Sequence, residues 1–231
     1  MTILCIETST SVCSAAVCKN GEPIDRCICR EGSNHARLLP RYIDHLLRIT
    51  AEQGLTMDAV AVSEGPGSYT GLRIATSTAK GLCYGMHVPL IPVPTLQLLC
   101  AAAVSHMPTG IGSATLCPMI DARRMEVYTA MYDSALHELT ETAPLVIEGI
   151  QSLPQTQGEV YYFGDGAAKC RTALQDPHWH MIPDIIPEAQ YMGLLAEQKI
   201  RDGYAGADIA YYEPFYLKQF IAAQSHVKGL K

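Results

Sequence analysis

A two-part α/β fold is predicted by three features of the sequence. The run Leu4-Cys5-Ile6-Glu7, followed by Ser14–Val17, is repeated in the second half by Leu116-Cys117-Pro118-Met119-Ile120-Asp121, followed by Val127–Tyr132. Each is an apolar strand ending in a carboxylate, a short turn and another strand. Strand-like runs alternate with helical patterns through the first third, the arrangement of an α/β sheet. The segment Ser63-Glu64-Gly65-Pro66-Gly67-Ser68-Tyr69-Thr70-Gly71-Leu72-Arg73 joins the apolar run Ala59–Val62 to a helix-like pattern over Ile74–Gly85. Its glycines allow close approach of backbone or ligand near a helix start.

In chain order, Ile3–Ile6 is a short strand, and Cys13–Lys19 and Pro23–Arg30 form a hairpin about Asn20-Gly21. Leu38, Leu39, Tyr42, Ile43, Leu46, Leu47 and Ile49 recur at spacings of three and four, which predicts a helix over His35–Gln53 with Ser33 or Asn34 as N-cap and Gly54 as stop. Its apolar stripe is broad. Leu39, Ile43 and Leu47 are assigned to one face and Leu38, Tyr42, Leu46 and Ile49 to another, one serving a sheet and the other a partner or second helix. A helix of small residues over Ala75–Tyr84, a strand and a helix over Leu96–Val104 follow. The second half adds a polar connection at Gln151–Gly158, a strand at Val160–Phe163, a short helix at Ala167–Leu174 and a helix at Gln190–Arg201 between Pro187 and Gly203. Ala210–Phe220 reads as a docking segment and Ile221–Lys231 as a fraying end. The expected division is into lobes 1–105 and 106–231.

The chain has 231 residues, 48% of them hydrophobic, and a formal charge of −6. That supplies a core, and it argues against a long nucleic-acid duplex as a direct ligand, because phosphate contacts need clustered Lys and Arg. Lys19, Arg26, Arg30, Arg37, Arg41 and Arg48 make the first third less acidic and read as a solvated face. The apolar stretch Val88–Val104 is broken by Pro89, Pro92 and Pro94, so no membrane span is expected, and the N-terminus lacks a basic signal region; the expected location is the cytoplasm. Nine cysteines without a Cys-x-x-Cys pair read as buried thiols rather than a disulfide framework, and Cys27-x-Cys29 lacks metal-ligand spacing.

An acidic residue closing the first strand of each half is the organisation expected of a duplicated actin-like or sugar-kinase-like fold, in which two acid-tipped hairpins flank a cleft for ATP phosphates and magnesium. The candidate phosphate or nucleotide residues are Glu7, Thr8, Ser9, Gly65, Gly67, Ser68, Thr70, Gly71 and Asp121, with Gly164-Asp165-Gly166 as the glycine motif facing a nucleoside. The alternative is that Gly65–Gly71 is a structural tight turn. Neither Gly-x-x-x-x-Gly-Lys-Ser/Thr nor Gly-x-Gly-x-x-Gly is present, and neither Gly-x-Ser-x-Gly nor His-Glu-x-x-His supports a hydrolase.

Six segments, ILCIETST at Ile3–Thr10, HARLLP at His35–Pro40, EGPGSYTGLR at Glu64–Arg73, VPTL at Val93–Leu96, DARRMEVY at Asp121–Tyr128 and PFYLK at Pro214–Lys218, occur in the order found in the bacterial TsaB family, also called YeaZ, which the chain resembles. The resemblance implies a two-lobed actin/hexokinase-like (ASKHA) fold with duplicated ribonuclease H-like halves. It implies a noncatalytic relative of TsaD, which transfers threonylcarbamoyl to N6 of adenosine 37 in tRNAs reading A-starting codons (t6A). The implied partners are TsaD directly, TsaE within the complex and tRNA indirectly, with a homodimer in isolation. ATP or ADP with magnesium would be ligands of the complex, with no cofactor of the chain itself. TsaD-type catalysts hold a metal with His-x-x-x-His at the start of the first long helix, whereas this chain has His35-Ala36-Arg37-Leu38-Leu39. It departs from relatives in Ala36-Arg37 for Ser-Glu, in Glu7 for Asp, and in Arg124-Met125-Glu126 for Met-Gly-Glu. The expected partner surface is Leu38, Tyr42, Leu46, Ala75, Thr76 and Ala79. Competing expectations are a stand-alone ATP-dependent or acyl-transfer enzyme using Glu7, Asp121 and Gly65–Gly71, and a glycoprotease-type peptidase.

Overall fold

The computed structural model describes residues 1–32, 34–107 and 114–217. Ser33, the alternative N-cap, and residues 218–231, including the expected fraying end, lie outside the described residues. The first half runs β1 (Thr2–Glu7), β2 (Cys13–Lys19), β3 (Glu22–Cys29), α1 (His35–Glu52), β4 (Ala59–Gly65), α2 (Tyr69–Met86), β5 (Leu90–Pro94) and α3 (Thr95–His106). Its sheet has the order β3-β2-β1-β4-β5. The first three strands are antiparallel neighbours, while β1, β4 and β5 run parallel. β1 and β4 are almost continuously apolar because both faces of this sheet are covered. Leu4, Ile6, Val60 and Val62 pack under α1 and α2. Ile3, Cys5, Ala59 and Ala61 pack on the opposite side, against Met192 and Ala196.

The second half repeats the plan with β6 (Thr115–Asp121), β7 (Glu126–Thr129), β8 (Ala143–Val146), β9 (Val160–Phe163) and β10 (Trp179–Met181), in the order β10-β9-β6-β7-β8. Again the opening strand has two antiparallel strands on one side and two parallel strands on the other. Two sheets of one topology in one chain constitute the duplicated ribonuclease H-like arrangement of a two-lobed actin/hexokinase-like fold. The helices are not duplicated equally. A 3-10 turn at Ile150–Ser152 stands where α1 would be, and α4 (Ala167–Cys170) is a single turn where α2 has 18 residues.

Helix α3 packs against both β4 and β6, and α5 (Met192–Arg201) crosses back onto β1 and β5 of the first sheet. Ala207 bridges Leu90, and the Phe215 N–H donates to the Glu64 carbonyl at 2.6 Å. The two sheets take residues 2–94 and 115–181, while the late chain packs back on the first. Glu188, buried before α5, accepts from Arg30 at 2.9 Å and faces Arg26 at 3.7 Å, which ties the edge strand β3 to the returning chain.

Four of the expected partner-surface residues are corrected. Leu46, Ala75 and Ala79 are 0% exposed and pack with the sheet residues, and Thr76 is 5% exposed. Leu46 lies seven residues from Leu39, within about 20° of it on a helix, but eight from Leu38, about 80° away. It therefore joins Leu39 and Ile43 in the core, and Leu47 takes the half-buried position. On α2 the small residues Ala75, Ala79 and Cys83 form the stripe that lets the helix lie close to β4.

Candidate functional site

The Glu7 side chain sits at the end of β1, completely buried. The Ser9 N–H and hydroxyl both donate to one of its carboxyl oxygens at 2.5 Å, and the Ser63 hydroxyl donates to the other. Burial pushes the Glu7 carboxyl up to about 8, against the opposing pull of the Ser9 bonds, with Asp165 of the second lobe adding a smaller upward push. The β4–α2 loop closes over this turn. The Ser68 N–H donates to the Ser9 carbonyl at 2.6 Å, the Thr8 hydroxyl donates to the Gly71 carbonyl at 2.7 Å, and the Ser68 hydroxyl caps α2 through the Gly71 N–H at 3.2 Å. A Cβ on Gly71 would lie 1.9 Å from the Thr8 carbonyl oxygen, and one on Gly67 2.4 Å from that of Ser9. These glycines thus bring two pieces of backbone together. Thr70 faces outward at the start of α2.

The matching element of the second lobe is different. Asp121, at the end of β6, is exposed; it accepts from the Arg123 N–H at 3.0 Å and is ion-paired with Lys169 of α4. The carboxylate of Asp165 accepts from the Asp121 N–H at 2.9 Å, and burial pushes the Asp165 carboxyl upward. A Cβ on Gly164 would meet the Met119 carbonyl at 2.3 Å, and one on Gly166 the Val127 side chain at 2.9 Å. Gly164-Asp165-Gly166 therefore occupies the place of the first-lobe loop, pressed on β6. No local sequence pattern marks Lys169 as the partner of Asp121, because the two are far apart in the chain.

Between the lobes is a cleft of about 620 Å³ lined by Glu64, Gly65, Leu96, Glu138, Thr142 and Phe215 among others. Burial raises the Glu64 carboxyl, Lys199 pulls it down and Glu138 pushes it up. Among the described residues, no three His, Cys, Asp or Glu side chains gather in a way that could hold a metal ion.

A second candidate surface is the outer side of the α1–α2 pair. Leu38 and Tyr42 are half-buried there. A groove of about 540 Å³ runs between Ala36, Pro40, Tyr69, Arg73, Ile74 and Thr78. The Arg73 guanidinium lies 5.4 Å from the Tyr69 ring centre, and Tyr216 packs on the same ring at 5.0 Å. Farther along α2, Tyr84 is 75% exposed. A Cβ on Gly81 or Gly85 would meet nothing within 4 Å.

The family model of TsaD, tRNA N6-adenosine threonylcarbamoyltransferase, matches residues 31–224. The chain belongs to this family. Its place is with the TsaB (YeaZ) proteins. It is 29% identical to the Escherichia coli tRNA threonylcarbamoyladenosine biosynthesis protein TsaB, over 96% of both chains. It is 36% identical to the Haemophilus influenzae TsaB over 132 residues, 55% of this chain, so that this match spans about half, 52%, of that relative's length. The solved YeaZ from Pseudomonas aeruginosa superposes with a TM-score of 0.78 at 28% identity, covering 94% of this chain and 99% of that one.

In place of the His-x-x-x-His pair of a TsaD-type helix start, this chain has His35 and Leu39. His35 Nε2 lies 2.9 Å from the Thr10 carbonyl. Leu39, at the second ligand position, is in the core. The Asn34 side chain makes no cap hydrogen bond.

Proposed function

We propose that this chain is the accessory subunit of t6A biosynthesis: it docks on TsaD, supports transfer of threonylcarbamoyl to adenosine 37 of tRNAs reading A-starting codons, and performs no transfer itself. The observation that carries this is Leu39, an aliphatic core side chain where a TsaD-type catalyst needs its second ligand. The sealed turn at Glu7 supports it, because the glycines suited to a phosphate are already spent on the Thr8 and Ser9 carbonyls. TsaE joins through the complex, tRNA is reached through TsaD, ATP or ADP with magnesium belongs to the assembly, and the setting is the cytoplasm. No helix among the described residues is long and apolar enough to cross a membrane, in keeping with that setting.

The docking surface in this proposal is the outer α1–α2 face. Glycine inside a helix costs about 1 kcal/mol relative to alanine. Gly81 and Gly85 face open space among the described residues, and close approach of a partner helix supplies a reason for them. With no TsaD present, the same face pairs two copies of the chain.

The test is t6A formation on unmodified tRNA supplied with threonylcarbamoyl-adenylate, by this chain, by its cognate TsaD and by both. Activity that requires TsaD and rises with this chain is expected; transfer by the chain alone overturns the proposal. Tyr84→Asp is expected to keep the fold and weaken TsaD capture at least tenfold. Leu46→Asp is expected to cost more than about 4 kcal/mol, because it buries an unpaired charge in the core, and to unfold the chain.

A further inference from the structure

We propose that Cys13 and Cys29 form a reversible thiol–disulfide site that reacts with small hydroperoxides. They are directly opposed partners on the β2–β3 ladder. The same face carries Cys27, opposite Ala15, and all three thiols lie close enough to the Tyr42 phenol of α1 to influence it. Directly opposed residues of an antiparallel pair hold their Cβ atoms about 4.5–5.5 Å apart, and diagonal neighbours about 7–8 Å. A disulfide needs Cβ atoms about 3.5–4.5 Å apart and Cα atoms about 4.4–6.8 Å apart. The Cys13–Cys29 pair therefore closes with a movement of about 1 Å, whereas Cys27 is a diagonal neighbour of Cys13 and too far to bond it.

The edge position supplies that movement. β3 has a neighbour on one side only, and Cys29 is its last residue, followed by the Arg30-Glu31-Gly32 loop. Access is also divided between the two sulfurs. Cys29 is half-buried and its thiol donates weakly to the Glu31 carbonyl at 3.4 Å, while Cys13 is 1% exposed. Cys29 is thus the entry point and Cys13 the resolving thiol. Burial pushes the Cys13 thiol up to about 11, consistent with its acting second. Cys5 and Cys18, on the other face of β1 and β2, are buried at 0% and 1% exposure and closed to an oxidant.

The chemistry balances with the hydroperoxide as oxidant. The Cys29 thiol gives up its proton and its sulfur attacks the peroxide, breaking the O–O bond to give a sulfenic acid and an alkoxide, or hydroxide if the oxidant is hydrogen peroxide, which takes up that proton and leaves as alcohol or water. The Cys13 sulfur then attacks the sulfenic sulfur; the S–S bond forms, the S–O bond breaks, and the departing hydroxide takes the Cys13 proton as water. The bond ties the edge strand to β2 beneath Tyr42. A thiol reductant reverses it.

The experiment treats the full chain with hydrogen peroxide, blocks remaining thiols with N-ethylmaleimide under denaturing conditions, and maps unreduced peptides with fragmentation that separates Cys13 from Cys5 and Cys18. The expected result is a Cys13–Cys29 link, removed by dithiothreitol, absent from Cys29→Ser and retained in Cys27→Ser. The oxidised wild type should also melt several degrees higher than the reduced form, a shift missing from Cys29→Ser. Finding no link, a link through Cys27, a Cys5–Cys18 link, or Cys29 driven to sulfinic acid while Cys13 stays free overturns the proposal. None of these outcomes depends on t6A activity or TsaD binding.

Discussion

In the first lobe the turn after β1 lies beneath the β4–α2 loop, whereas in the second lobe the turn after β6 remains in solvent, although its own loop glycines approach the strand in a similar way. The difference comes from what the turns are made of and what covers them. Thr8, Ser9 and Thr10 are small and buried, and their hydroxyls meet polar needs inside the protein. The second turn carries Arg123 and Arg124, both exposed and both at positive φ, 73° and 53°. Its covering helix has four residues where α2 has 18. A duplicated topology has thus been used once to build a sealed polar core and once to present a surface ion pair. The same motif position does not carry the same chemistry.

The contrast can be broken most directly through the glycines. Gly71→Ala puts a methyl against a backbone carbonyl and is expected to cost about 3 kcal/mol or more in urea unfolding, while Gly166→Ala, meeting first the Val127 side chain, should cost about 1–2 kcal/mol. Equal losses would mean that the two turns are packed alike.

The buried carboxyl sharpens the comparison. Glu7 has its folded value raised to about 8 from an ordinary 4.5, so the folded state holds a proton that the unfolded state releases across that interval. Its contribution to stability is fully present below about 4.5, falls by up to about 1.4 kcal/mol per pH unit as pH rises, and levels off above about 8. Glu7→Gln should remove this slope and gain on the wild type as pH climbs from 5 to about 8, measured by urea midpoints across pH. A parallel pair of profiles would show that Glu7 is ionised throughout.

The smallest effect belongs to the exposed pair. Lys169→Ala is expected to cost no more than about 1 kcal/mol and to do so less in high salt, because the Asp121 partner is solvent-exposed. A larger, salt-independent loss would place this pair among the buried networks and erase the contrast between lobes.

Much of the fold was legible in the chain. The Asn20-Gly21 turn set the β2–β3 hairpin, and strands such as Cys13–Lys19 and Val160–Phe163 stand where their apolar patterns put them. β8 and β10 were not legible. Ala143–Val146 and Trp179–Met181 are too short to display alternation, and their pairing partners supply the structure. Of the candidate site, Thr8 and Ser9 meet Gly67, Ser68 and Gly71 as closely packed backbone with one hydroxyl bond, while the Glu7 carboxyl bonds Ser9 and Ser63. The inward position of Leu46 is not legible, because a broad apolar stripe does not announce which edge turns inward, and Lys169 meets Asp121 only through the approach of α4 to β6.

The sequence by itself determined the repeated strand–acid–turn–strand plan, the glycine positions and the family, because local periodicity and backbone permissiveness are properties of neighbouring residues. Only the tertiary structure decided which carboxylate is buried, which helix face is free and which cysteines stand opposite one another. Burial and register depend on segments far apart in the chain, and desolvation acts on a group only after those segments have closed around it.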